Sequence, residues 1–147
     1  CGSCKQVPWA IGVDAHPYPG VDVVADLERR LPFEENEADH VFAIHVLEHI
    51  YDLTGLMNEV HRILKPDGVL HAMVPRVDCH NAVADPTHVR FFNKRTFSFF
   101  CRRRPAVNPF RPVNVSSDRS TVYVDLAPVK EESGYPAEDE LEYYFGD

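Results

Sequence analysis

Short apolar runs closed by acids alternate with polar, turn-rich segments through the first half of the chain. Ala10-Ile11-Gly12-Val13-Asp14 is one such run, followed by His16-Pro17-Tyr18-Pro19-Gly20, and it predicts a buried strand ending at Asp14. Val21 to Ala25, closed by Asp26 and Leu27, predicts a second strand, and Asp39 to Ile44 a third with His45 at its C-terminal edge. From Asp52 onward the period changes. Leu53, Leu56, Met57, Val60, Ile63 and Leu64 fall at spacings of three and four, which predicts a helix capped by Asp52. Lys65-Pro66-Asp67-Gly68 stops that helix, because proline cannot continue it and glycine suits its terminus. Val69 to Val74 is the fourth predicted strand, ended by Pro75.

Residues 76–93 form a polar segment holding Asp78, His80, Asn81, Asp85, Thr87, His88 and Arg90, too long for a mere connection. Asn93 to Phe100 predicts a short helix with Phe97 and Phe100 inward. Arg119 to Leu126 alternates like a strand, Lys130 to Asp139 reads as a loop, and Glu140 to Phe145 reads as a last edge strand. Continuous apolar strands separated by crossovers indicate an α/β domain with a mainly parallel sheet covered on both faces. Ligands of such sheets bind at the carboxyl ends of the strands, where Asp14, Asp26 and His45 stand. A glycine turn at Gly2 followed by an acid at the next strand end suits a nucleoside, since the carboxylate can accept from ribose hydroxyls. Turn formation is the alternative role for each aspartate.

At 147 residues the chain has the size of a single domain. Its 44% hydrophobic and 26% charged residues exclude a disordered class. The first residue is Cys1, and the sequence reads as a fragment that begins inside a glycine motif. The net charge of −8 is unevenly spread. Between Asp125 and Asp147 acids are opposed only by Lys130, whereas His88 to Arg111 holds Arg90, Lys94, Arg95, Arg102, Arg103, Arg104 and Arg111 with no acid. That block is an attractor of phosphate or acidic substrate, a solvated face, or a dock for the acidic tail. It lacks a nucleic-acid motif, so a nucleic-acid partner is not expected. No run is long enough to span a membrane. Cys1, Cys4, Cys79 and Cys101 are too scattered for a disulfide framework, and reduced thiols point to a cytoplasmic setting.

Several motifs in order carry a family resemblance. Cys1-Gly2-Ser3-Cys4, Ile11-Gly12-Val13-Asp14, Ala25-Asp26-Leu27, Leu31-Pro32-Phe33 through Asp39, His45-Val46-Leu47-Glu48-His49-Ile50 and Arg62-Ile63-Leu64-Lys65-Pro66-Asp67-Gly68 resemble the class I S-adenosylmethionine-dependent methyltransferases of the type 11 group. The resemblance covers about residues 1–100. It implies a Rossmann-like three-layer sandwich whose first strand and first loop glycine lie before residue 1, with Cys4 where the third glycine is usual. Under it the chain is one domain, with a cofactor half over 1–75, a substrate loop and C-terminal strands over 76–126, and an acidic tail over 127–147.

The resemblance further implies that Gly2 lies against the methionine part of S-adenosyl-L-methionine, Asp14 holds the ribose, Asp26 and Leu27 bind adenine, and His45 lines the pocket. The implied reaction is methyl transfer, O-methylation favoured, to a small-molecule or phosphate-bearing acceptor. The alternative is a non-catalytic cofactor-binding domain of the same fold. His49 and His88 are candidate bases, since imidazole works near neutral pH, and Asp85 and Arg90 could orient the acceptor. His45-x-x-Glu48-His49 also matches the inverted zinc-peptidase pattern, which needs both histidines on one helical face. It resembles as well the E-x-x-E-H ligand motif of metal-dependent small-RNA 2′-O-methyltransferases. There a divalent ion on Glu48, His49 and His88 would polarise a substrate hydroxyl. The alternative to a metal is that Leu47 and Ile50 pack inside while Glu48 and His49 make local hydrogen bonds.

Overall fold

The computed structural model describes Lys5 and residues 8–146. Its elements in order are β1 (Val13–Asp14), β2 (Val23–Val24), β3 (Ala38–Ile44), a 3-10 turn (Leu47–His49), α1 (Leu53–Ile63), β4 (Leu64–Pro75), α2 (His80–Ala84), α3 (Lys94–Ser98), β5 (Phe110–Ser117), β6 (Thr121–Pro128) and α4 (Glu138–Phe145). The sheet is in two pieces. β1 and β2 pair in parallel, and a separate sheet runs β3-β4-β6-β5, parallel between β3 and β4 and antiparallel at β6.

β1 and β2 begin and end inside the runs expected for them and are shorter. Gly12 already accepts from both Asp22 and Val23 through its carbonyl, and Ile11 is exposed, so little apolar burial extends the pairing. α1 follows its periodicity: Leu53, Leu56, Met57, Val60 and Ile63 are buried, and the Asp52 carboxylate accepts from the Gly55 N–H at 2.9 Å. A Cβ on Gly55 would collide with that carboxylate, so cap and glycine are chosen together. α1 ends at Ile63, before the Lys65–Gly68 segment expected to stop it, and that segment together with Leu64 lies inside β4. Ala38 pairs with Leu64 and His40 with Val69, so the intervening residues of β4 swell out as a bulge.

The core lies on one face of the larger sheet. Leu70, Ala72 and Val74 of β4 and Val122, Val124 and Leu126 of β6 alternate toward it, joined by α1 and by Phe92, Phe97, Phe100 and Phe110. The opposite face does not match the expected cover. There Phe42 stacks on His71 at 4.9 Å, His40 on His71 at 5.2 Å, and His71 Nδ1 meets the Asp125 carboxylate at 2.7 Å. This ladder is half-exposed among the described residues.

Two expectations fail in the C-terminal third. β5 was not foreseen; Pro112 obscures it, and the strand tolerates proline because it lies on the sheet edge beside a register shift. Glu140 to Phe145 is helix, not strand. Leu141 and Phe145, four apart, are buried while Tyr143 is exposed, and Glu138, Asp139 and Glu140 sit in the first turn, where the helix dipole favours acids. The boundary expected at 126 falls inside β6, and α4 contributes to the core. As anticipated in one reading of the charges, the tail docks on the basic block: Arg102 binds Glu138 at 2.5 Å, Arg103 binds Glu132, and the Arg103 guanidinium lies 4.0 Å from the Tyr135 ring centre.

One polar clamp ties the segment after β2 to α1. Arg62 donates to the carbonyls of Phe33 at 2.8 Å and Leu31 at 3.1 Å, and to Glu59 at 2.8 Å, while Glu59 accepts from the Leu31 N–H at 2.8 Å. The Arg62 guanidinium holds the Glu59 carboxyl below its ordinary value. A depressed carboxyl stabilises the fold above its unfolded value of about 4.3 and loses that contribution as pH falls through the folded value. Urea unfolding between pH 5 and 3 should therefore show a steeper loss of stability in wild type than in Glu59→Gln. Arg62→Ala at pH 7 should cost about 1–3 kcal/mol, because it strands partly buried acceptors.

Candidate functional site

A groove of about 720 Å³ runs along the whole of β3, between that strand and the Trp9 to Val13 segment that enters β1, with Leu27, Leu31 and the inner face of α1 closing it. Val13, Leu27, Val46 and Leu47 give it apolar walls, His45 stands at one end, and Trp9 and Phe42 meet edge to face at 6.2 Å along its side. Leu27 and His45, expected at the site, thus share one cavity. Asp14 and Asp26, expected at the site, are not among the groove's lining residues, although their chain neighbours Val13 and Leu27 are. Each takes the turn role as well: Asp14 Oδ1 accepts from the His16 N–H at 3.0 Å and Asp26 Oδ1 from the Glu28 N–H at 2.9 Å. Gly2 lies outside the described residues. A second hollow, of about 480 Å³ and lined by His61, Arg62 and Lys130, opens near the junction of α1 with β4, away from the carboxyl ends of β1, β2 and β3.

The wall beyond β3 is built by an abrupt turn. His45 has a positive φ of 52°, uncommon for a residue with a side chain, and its N–H is held by the Met73 carbonyl at 2.9 Å. The chain then enters the Leu47–His49 turn, so His45 and His49 never share a helix and the inverted zinc-peptidase arrangement is absent. Leu47 and Ile50 are buried as expected, but Glu48 is buried as deeply as Leu47, at 1% exposure. Its Oε1 lies 3.2 Å from His45 Nδ1, while Oε2 has no hydrogen-bond partner.

The 76–93 segment closes over this turn. Val89 and Arg90 donate their N–H groups to the Glu48 carbonyl at 2.9 and 3.2 Å, and the Arg90 guanidinium donates to the carbonyls of Ile50, at 2.8 Å, and Tyr51. Arg90 is a strap, engaged with backbone instead of projecting toward an acceptor. The same closure brings His88 to His49, with ring centres 4.9 Å apart. His49 Nδ1 faces the Thr87 carbonyl at 3.2 Å and hydroxyl at 3.0 Å, and His88 Nδ1 faces the Ala82 carbonyl at 2.9 Å. A carbonyl accepts only, so each Nδ1 carries a proton, and in the neutral ring the lone pair is then on Nε2; His88 Nε2 lies 3.9 Å from Asp85 Oδ2. Asp85 accepts from the Thr87 N–H and hydroxyl at 2.8 and 2.6 Å. Those bonds, the hydroxyl's foremost, hold its carboxyl below the usual range.

Sequence reasoning missed Glu28, whose carboxylate accepts from the N–H groups of Tyr51 and Asp52 at 3.0 and 3.1 Å and so fixes the β2 loop against the start of α1. It also missed Trp9 as part of the groove, although an aromatic just before an apolar strand was visible. If Arg90 straps the loop, Arg90→Ala should speed hydrogen exchange at Val89 and residue 90, a local loss of about 1–3 kcal/mol, with the α1 amides unchanged.

A family model described as "Methyltransferase domain", of type 11, matches residues 8–72. The chain is 46% identical over 57 residues to arginine-hydroxylase NDUFAF5, mitochondrial, of Danio rerio, covering 38% of this chain and 17% of that protein. It is 26% identical over 129 residues to a protein of Mycolicibacterium smegmatis named "Probable S-adenosylmethionine-dependent methyltransferase", covering 88% and 40%. The chain thus spans less than half the length of these curated relatives. Among solved structures it is similar to the YcgJ protein of Bacillus subtilis, with a TM-score of 0.62 at 14% identity over 82% of each chain. It is also similar to a SAM-dependent methyltransferase of Aquifex aeolicus, with a TM-score of 0.59 at 17% identity over 75% of this chain and 56% of that one. These structural likenesses show the Rossmann-like α/β fold. Motif order, fold and the match over residues 8–72 agree: this stretch of the chain is similar to the type 11 methyltransferase domain, a family whose cofactor is S-adenosyl-L-methionine.

Proposed function

We propose that this chain binds S-adenosyl-L-methionine in the groove between β3 and the segment entering β1, with the methyl-bearing end toward His45, and takes part in methyl transfer to an acceptor hydroxyl. The observation that carries the reading is that Leu27 and His45, both expected from the motif order, line one cavity together with Val13. Apolar walls fit the rings of a nucleoside, and the carboxylates of Asp14 and Asp26, one residue along the chain from that lining, are acceptors for its hydroxyls and amine. Asp14 would hold the ribose, Asp26 and Leu27 the adenine, and His45 would border the sulfonium end. The bound cofactor supplies the electrophilic methyl group.

Transfer from a sulfonium is an in-line displacement, so the protein's task is chiefly alignment. The histidine pair offers two Nε2 lone pairs beside the groove end to handle the proton of an acceptor hydroxyl, which favours O-methylation. Support for a phosphate-bearing acceptor is reduced, because Arg102 and Arg103 are paired with the acidic tail; a small-molecule acceptor is the reading kept.

A second reading is a cofactor-binding domain that does not transfer methyl. The similarity to a protein named as an arginine-hydroxylase favours keeping it. Calorimetric titration with S-adenosylhomocysteine should show saturable binding that Asp14→Ala abolishes with the circular dichroism unchanged. Absence of binding by the folded wild-type chain would overturn the cofactor reading. Binding without any S-adenosylhomocysteine release from S-adenosylmethionine, across a panel of hydroxylated acceptors, would leave the second reading in place of methyl transfer.

A further inference from the structure

We infer that Glu48, His49 and His88 form a binding site for one divalent transition-metal ion of the zinc type. One ligand atom from each of the three residues lies within 4.8 Å of the others, close enough for a single ion to be shared after small side-chain adjustments. The second, independent observation is the state of Glu48. It is 1% exposed, and its Oε2 has no hydrogen-bond partner. An unpaired carboxylate oxygen at that depth is costly, and a cation removes the cost directly.

The tautomers fit the same role. Thr87 and Ala82 fix the Nδ1 protons of His49 and His88 through their carbonyls, which is the outer-shell arrangement that orients an imidazole ligand and raises the basicity of its other nitrogen. His88 is held rigidly besides, with a side chain only 8% exposed. The loop that carries it is clamped to the Glu48 carbonyl by the N–H groups of Val89 and Arg90, so the ligand set is preorganised by backbone. Two imidazoles and a carboxylate are donors that suit zinc and its neighbours better than calcium or magnesium.

Three protein ligands leave coordination positions open, which is the pattern of a catalytic and not a structural site. Glu48 touches His45, and His45 lines the cofactor groove, so an ion here would stand next to the groove's end. In that position it would bind an acceptor oxygen and lower its pKa, with His49 and His88 acting as ligands in place of bases. The metal site itself does not depend on the cofactor reading, because its ligands lie outside the groove wall.

The test is titration of the chain with Zn²⁺ by calorimetry and with Co²⁺ by visible absorption. It is done without S-adenosylhomocysteine and in a Cys1→Ser, Cys4→Ser background that removes competing thiolates. The expected result is saturable binding at one ion per chain, with a Co²⁺ spectrum of nitrogen and oxygen ligands, lost in His49→Ala and in His88→Ala but retained in His16→Ala. Glu48→Gln should weaken it, and circular dichroism with a thermal melt reports whether each variant is folded. No binding by the parent, or binding unchanged in folded His49→Ala and His88→Ala, overturns the inference. Because S-adenosylhomocysteine binding is measured separately, failure of either property is distinguishable from failure of the other.

Discussion

The relation between the two pieces of sheet depends on the Arg62–Glu59 pair. β1 and β2 make no ladder with β3 among the described residues, so hydrogen bonding within strands does not place Asp14 or Leu27 relative to His45. That placement comes from Arg62 and Glu59 gripping the backbone at Leu31 and Phe33, and from Glu28 capping the N–H groups that open α1. Burial of Leu31 and the packing of Leu27 and Phe33 against the core accompany the grip. A guanidinium donates in a fixed plane to several acceptors at once, which is why one residue can hold a whole segment. The clamp sits on the last turns of α1, whose Leu56, Val60 and Ile63 also line the groove.

A second constraint governs the other side of the groove. The chain leaves β3 through a residue with positive φ, His45, and immediately buries an acid, Glu48. Both features carry a free-energy cost, and such costs gather at functional sites. The compensation is visible in part: His45 meets one carboxylate oxygen, and the backbone of Glu48 accepts two N–H groups from the 76–93 loop. The remaining oxygen is the point at which the fold is incomplete by itself.

Charge tells a different story from the one its distribution suggests. A stretch rich in arginine looks like a surface for an acidic ligand. Here Arg102 and Arg103 close onto Glu138 and Glu132, Arg103 and Arg104 lie over aromatic rings, and Arg90 is bound to carbonyls. These basic groups draw the C-terminal helix onto the sheet edge and strap the loop, so much of the block is architectural.

The sequence by itself determined the elements whose apolar period is unambiguous. The core-facing side of α1, its Asp52 cap, β3, β6 and the inward Phe97 and Phe100 were legible because local spacing and burial agree. Of the residues expected from strand ends and motif order, Leu27 and His45 line the groove, whereas Asp14 and Asp26 make turn hydrogen bonds and are not in its lining. Where local signals conflict with tertiary packing, reading fails. Pro112 hides β5, since only the edge position makes a proline acceptable, and Glu140 to Phe145 reads as an edge strand, whereas packing puts Leu141 and Phe145 on one helical face. The convergence of His88 on His49 and Glu48 was suspected from a motif but decided only by the structure. A contact between residues some forty positions apart depends on loop closure, and the bonds that close this loop are to backbone carbonyls, which every residue has and no sequence pattern reveals.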